Sequence, residues 1–211
     1  MIQMSAAAFE TLVNNASVLE HDSFGPKVLR LEDGSFFKLF RRKRLFSSEA
    51  FNPYASRFAT NARRLQEIGI PTPDVLEVYR ISEPRRTAVH YKGLPGITLR
   101  QAMLVATEPE RERLAECFGQ LLGRLHENGI YFRSLHLGNV LLLPDGQLGL
   151  IDFADLHAGR GKLSDLKRKR NSRHMQRYEQ DRLWLFDQHS DALQKGYQQI
   201  TGHPLLGAGV S

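Results

Sequence analysis

The feature that most constrains the fold is the run Gly138-Asn139-Val140-Leu141-Leu142-Leu143, then Pro144-Asp145-Gly146-Gln147, then Leu148-Gly149-Leu150-Ile151-Asp152-Phe153. Two apolar stretches flank an Asp-Gly pair, and its glycine accepts the positive φ that a tight hairpin turn requires. With Asp145 and Gly146 as the two turn residues, Pro144 pairs with Gln147 and Leu143 with Leu148. Continuing that register sets Asn139 opposite Asp152, so an amide oxygen and a carboxylate meet at the open end of one hairpin. Two such oxygens suit Mg²⁺, which binds few protein ligands and completes its shell with phosphate oxygens and water. Asp and Asn also end strands and cap turns for purely structural reasons, and spacing alone does not separate the two roles.

Other elements follow from local pattern. Val28–Leu31 and Phe36–Phe40 read as strands joined at Asp33-Gly34, with Lys38 between Phe37 and Leu39. Taken alone, a lysine in a strand reads as a solvated edge residue. A helix is predicted from Asn52-Pro53, with Tyr54, Phe58, Ala62 and Leu65 on one side and Gly69 and Pro71 ending it. Val75–Tyr79 and Thr87–Tyr91 read as further strands, Pro95-Gly96 as a turn that marks a hinge, and a helical stretch follows from Leu99. The strongest helix runs from about Glu110 to Asn128. Leu114, Phe118, Leu121, Leu122 and Leu125 form its apolar stripe, and Gly129 ends it in a left-handed conformation. His126, in its last turn, reads as a cationic or donor side chain favourable to the helix dipole, and Cys117 as core.

Composition narrows the class. With 211 residues, 41% hydrophobic and 25% charged, the chain is expected to fold into one globular domain or two small lobes rather than remain disordered. Its single cysteine excludes an internal disulfide. No apolar run approaches the roughly 18 residues of a membrane span. Met1 to Asp22 lacks the basic start and apolar core of a secretory signal, so the expected location is cytoplasmic. The net charge of +6 points to anionic partners. Two basic runs contribute: Arg41-Arg42-Lys43-Arg44, and a C-terminal set of Lys162, Lys167, Arg168, Lys169, Arg170, Arg173 and Arg177. Each is either a solvated face or a surface for phosphorylated lipid headgroups. Nucleic acid is not the expected partner, since no recognition module or interleaved aromatic platform is present.

Leu125-His126-Glu127-Asn128-Gly129, Leu135-His136-Leu137-Gly138-Asn139 and Ile151-Asp152-Phe153 together resemble the catalytic core of the protein-kinase-like superfamily. The resemblance is nearest to the lipopolysaccharide-core (Kdo/heptose) kinase branch and extends to aminoglycoside-kinase-like folds. Pro95-Gly96-Ile97-Thr98-Leu99 is similar to the segment after the hinge there, and Arg177-Tyr178-Glu179-Gln180-Asp181 to the C-terminal region of the core-sugar kinases. It implies an α+β, bilobal fold: a small antiparallel-sheet N-lobe with one helix at 1–94, and a reduced, mainly helical C-lobe at 95–211 carrying the hairpin 139–152. It implies ATP and Mg²⁺ as cofactors, with Asn139 and Asp152 as metal ligands and Lys38 against the nucleotide phosphates. The implied reaction is phosphoryl transfer to a sugar hydroxyl of a phosphorylated glycolipid, at the cytoplasmic face of the inner membrane. Asp155 would add a further carboxylate near the metal, and His136 a structural role.

The pattern also breaks. Five residues before Asn139, where the superfamily has its catalytic aspartate, stands Ser134, in Phe132-Arg133-Ser134. At neutral pH a serine does not take a hydroxyl proton unless another base activates it. No glutamate is well placed to pair with Lys38: Glu67 lies nine positions from Phe58, about 180° around the helix, and Glu49 precedes Pro53. Asn61 is the better-placed polar residue. No G-x-G-x-x-G loop exists, and Ser23-Phe24-Gly25-Pro26 is at most a short substitute. The alternative is therefore a catalytically inactive kinase-like protein that binds nucleotide or partners.

Overall fold

The computed structural model describes residues 1–23, 25–41 and 53–207. Phe24, Glu49, Asn52 and the basic run beyond Arg41 lie outside the described residues. The chain divides into two compact units: Met1–Arg63 with Thr72–Leu94, and Arg64–Pro71 with Pro95 onward.

The first unit contains β1 (Ile2–Met4), α1 (Ala6–Asn14), β2 (Ser17–Asp22), β3 (Gly25–Arg30) and β4 (Phe36–Arg41). It continues with most of α2 (Tyr54–Glu67), β5 (Asp74–Ile81) and β6 (Arg86–Lys92). Six strands form one sheet in the order β1-β5-β6-β4-β3-β2, antiparallel except for the β1–β5 pair. Alternation along β4 decides what each face holds. Phe37 and Leu39 join Phe9 of α1, Leu29, Ile81 and Ala88 in an apolar cluster. Phe36, Lys38 and Phe40 take the opposite face. There Phe58 of α2 stands 6.1 Å from the Phe40 ring and 5.6 Å from that of Tyr91. The first three elements are weakly marked in the sequence, because β1 is three residues long and β2 is exposed throughout.

The second unit holds β7 (Ile97–Thr98), α3 (Leu99–Val105), α4 (Glu108–Glu127), β8 (Ile130–Tyr131), β9 (Val140–Leu142), β10 (Leu148–Leu150) and β11 (His157–Ala158). It ends with α5 (Asp165–Met175), α6 (Glu179–Arg182) and α7 (Ser190–Thr201). Thr107 and Glu110 form a capping box that starts α4 two residues before the apolar pattern suggests. Its stripe is buried, and Gly129 follows at φ 71°. α4 and α7 meet backbone to backbone. A Cβ at Gly196 would lie 1.9 Å from the Glu116 carbonyl oxygen, and one at Gly119 would lie 2.2 Å from that of Leu193.

Both Asp-Gly pairs form the same kind of turn, and at Asp145-Gly146 it corrects the sequence reading. In Leu31–Ser35 and Leu143–Gln147, the first residue donates its N–H to the carbonyl of the last, at 2.8 and 2.9 Å. Gly34 and Gly146 stand at φ 80° and 83°. The Asp33 and Asp145 carboxylates accept the N–H two residues on. Each is a three-residue loop whose glycine makes a bulge, not a two-residue turn. The extra residue shifts the second hairpin by one. Leu148 pairs with Leu142 and Leu150 with Val140, and the Ile151 N–H donates to the Asn139 carbonyl at 2.9 Å. Asn139 therefore faces Ile151, not Asp152.

Candidate functional site

In the second unit, β8 runs into Phe132-Arg133-Ser134 and reaches β9 through the 3-10 turn Leu137–Asn139. The Asn139 side-chain amide donates from Nδ2 to the Ser134 carbonyl at 3.0 Å, which leaves Oδ1 as the atom that could meet a ligand. The Ser134 hydroxyl donates to Oδ1 of Asp155 at 2.7 Å. The residue expected to hold a base is thus itself bonded to a carboxylate. Asp152 follows the last backbone pair of the hairpin at φ 53°, the one non-glycine residue with positive φ among those described. Aspartate tolerates this left-handed backbone better than most side chains, and such conformations concentrate at functional positions.

His136 is half-buried. Its Nδ1 accepts the Gly138 N–H at 3.0 Å, and its ring lies 4.4 Å from that of Tyr178. Burial, then Arg100, pushes the imidazole's pKa down, while the carboxylates of Asp181, Asp152 and Asp155 oppose the shift. Three acids therefore sit within electrostatic reach of one neutral ring.

Asp181 anchors this loop. It is fully buried; Oδ1 accepts Nε and Nη2 of Arg100 at 3.0 and 2.8 Å, and Oδ2 accepts the Leu137 N–H at 2.7 Å. Asn171 adds a second support, donating from Nδ2 to the Phe132 carbonyl at 2.9 Å. Sequence reasoning assigned neither residue a role. Nothing local marks Asn171, and Asp181 entered only as the last residue of a segment resembling the core-sugar kinases.

Lys38, in the first unit, sits on β4 between Val28 of β3 and Val89 of β6 and is 7% exposed. A central, buried position excludes the solvated-edge reading. Asn61 of α2 is buried one turn beyond Phe58, whereas Glu67 is exposed and pairs with Arg64 at 3.2 Å.

Among the described residues, no group of three or more His, Cys, Asp or Glu side chains offers a complete metal site. Asn139 and Asp152 are oxygen donors of the type that Mg²⁺ takes alongside nucleotide phosphates and water. The basic C-terminal set is less uniform than the sequence suggests. Arg168 is buried, donating to Glu127 and Tyr197 at 2.9 Å each, and Lys162 also pairs with Glu127. Lys167, Lys169, Arg170, Arg173 and Arg177 stay exposed, beside a Leu166 that is 79% exposed.

No protein-family model matches the chain. It is 30% identical over 154 residues to KEOPS complex subunit Bud32 of Pyrococcus abyssi, covering 69% of this chain and 63% of that protein. It is also 30% identical over 137 residues to 3-deoxy-D-manno-octulosonic acid kinase of Xylella fastidiosa, covering 62% of this chain and 53% of the relative. The chain therefore spans less than two thirds of either relative. Both are proteins of one superfamily, and the antiparallel sheet followed by a mainly helical unit is the architecture that superfamily requires. On fold and likeness together, the chain has a protein-kinase-like fold and is similar to proteins of that superfamily.

Proposed function

We propose that the protein is an ATP- and Mg²⁺-dependent phosphotransferase of the lipopolysaccharide-core sugar kinase type. Its acceptor is a sugar hydroxyl of a phosphorylated glycolipid at the cytoplasmic membrane face. The observation that carries this is the hairpin end. Asn139 keeps its amide oxygen for a ligand, and Asp152 stands next to the last pair in a left-handed conformation. The likeness to a sugar kinase supports the class of acceptor. Bound Mg²⁺ would neutralise charge on the transferring phosphoryl group. The chain's own residues would supply position: Asn139 and Asp152 would hold the ion, and Lys38 of the first unit would take up nucleotide phosphate.

The exposed basic residues of α5 and its flanks support an anionic partner surface, such as phosphorylated headgroups, since each basic residue near such a surface contributes up to about 1 kcal/mol. No helix among the described residues is long and apolar enough to cross a membrane. Binding at such a surface should weaken with salt.

Mass spectrometry of Mg-ATP with core oligosaccharides is the test. Wild type should add phosphate to sugar, and Asp152→Asn should abolish that. Unchanged product with Asp152→Asn would refute the mechanism. Ser134 favours a second reading, a catalytically inactive protein that binds nucleotide. That reading predicts thermal stabilisation by Mg-ATP without turnover.

A further inference from the structure

We infer that Asp155 is the general base of this site, acting on the acceptor hydroxyl through Ser134. The inference rests on the phosphotransferase reading above and supplies what that reading lacks. Serine at the usual aspartate position removes the carboxylate, but the 2.7 Å bond from Ser134 Oγ to Asp155 Oδ1 returns one a single hydrogen bond away. The two residues are 21 positions apart, and the fold brings them together.

The donor pattern matters as much as the distance. The Ser134 hydroxyl spends its hydrogen on Asp155 and keeps its lone pairs, so it accepts a hydrogen from a second hydroxyl. During transfer, the acceptor oxygen bonds to the γ-phosphorus as the bond from that phosphorus to the ADP oxygen breaks. ADP leaves with the electron pair of the broken bond. The acceptor's proton passes to Ser134 Oγ while the serine proton passes to Asp155. The net change is one phosphoryl group on the acceptor and one proton on Asp155, which then releases it to water.

The surroundings hold the pair in place. Asn139 fixes the Ser134 carbonyl, and Asn171 fixes that of Phe132. Phe153 and Ala154, 0% and 6% exposed, anchor the chain just before Asp155. Both Ser134 and Asp155 are half-buried, which leaves a face open to an acceptor.

The test uses the full chain with Mg-ATP and a panel of Kdo- and heptose-containing oligosaccharides. Single-turnover transfer is read by mass spectrometry, and Mg-ATP affinity by calorimetry. Asp155→Asn and Ser134→Ala should each slow transfer by roughly 10²-fold or more, a common contribution of a positioned base, with Mg-ATP affinity unchanged. Adding Ser134→Asp to Asp155→Asn should restore most of the lost rate, which a merely structural Asp155 would not allow. Transfer by Asp155→Asn at the wild-type rate overturns the inference and leaves the kinase reading standing. Loss of Mg-ATP affinity in parallel with rate, or no rescue in the double variant, also overturns it. A wild type that is inert while Ser134→Asp transfers phosphate overturns it too. Inactivity of both wild type and Ser134→Asp instead overturns the phosphotransferase reading itself.

Discussion

The Tyr197 hydroxyl lies 2.9 Å from Nδ1 of His126, and both side chains are fully shielded from solvent. The neighbours assign direction. Arg168 donates to the Tyr197 oxygen at 2.9 Å, so the tyrosine hydrogen goes to Nδ1. Nε2–H then donates to Asn171 Oδ1 at 3.3 Å, and Asn171 donates to the Phe132 carbonyl. This chain of donors ends two residues before Ser134 and is complete only with a neutral imidazole. Of the two readings its sequence position allowed, His126 is therefore the neutral donor and not the cation.

Burial, with Arg168 adding to it, pushes the His126 pKa down to about 4, against a hydrogen bond to Asn171. Near pH 5 the unfolded chain binds a proton there and the folded one does not. Stability from this group is full above about pH 6.5 and is lost as pH falls to about 4, a span worth about 3 kcal/mol. His136 and His174 shift in the same direction, so the His126 share must be isolated by comparison. Urea unfolding of wild type and His126→Gln at pH 4 to 7 should show a difference that shrinks as pH falls. A constant difference would contradict the assignment.

Asp181→Ala should cost about 3 kcal/mol, because it strands the Leu137 N–H and removes the partner of Arg100. Urea denaturation measures the cost. Faster hydrogen exchange at the Leu137 amide would locate it in the loop.

Gly196→Ala tests the contact of α4 with α7. Helix propensity alone would favour alanine by about 1 kcal/mol. With its Cβ 1.9 Å from a backbone oxygen, the helices must separate instead. A net loss of about 2 kcal/mol is expected from overpacking, and a melting temperature at or above wild type would contradict it.

Lys38→Met addresses the first unit. Saturating Mg-ATP at about 100 times its dissociation constant should stabilise wild type by about 2.7 kcal/mol. The variant should lose most of that gain while still unfolding cooperatively. Retained protection would remove Lys38 from the nucleotide site.

Much of the fold was legible where the signal is local. The stripe of α4, Gly129 at its end and the apolar runs of β9 and β10 each follow from periodicity or turn chemistry. The pairing register was misread because an Asp-Gly pair serves both two- and three-residue loops, and the choice between them changes every partner by one. The candidate site was legible as residue types: Asn139, Asp152 and Ser134 were singled out, while Asp181 and Asn171 were not. A buried acid and a buried amide look solvated in sequence until their partners are known.

By itself the sequence determined the long helix and the hairpin strands, that two oxygen-bearing side chains flank that hairpin, and that serine stands at the usual aspartate position. Those properties depend on neighbours a few residues away. Only the tertiary structure decided that Ser134 meets Asp155, that His126 meets Tyr197 71 residues on, and that Arg100 meets Asp181 81 residues on. Hydrogen bonds between distant residues leave no periodic trace in a chain. Burial of the groups that make them is set by packing around them, which exists only after the chain has folded.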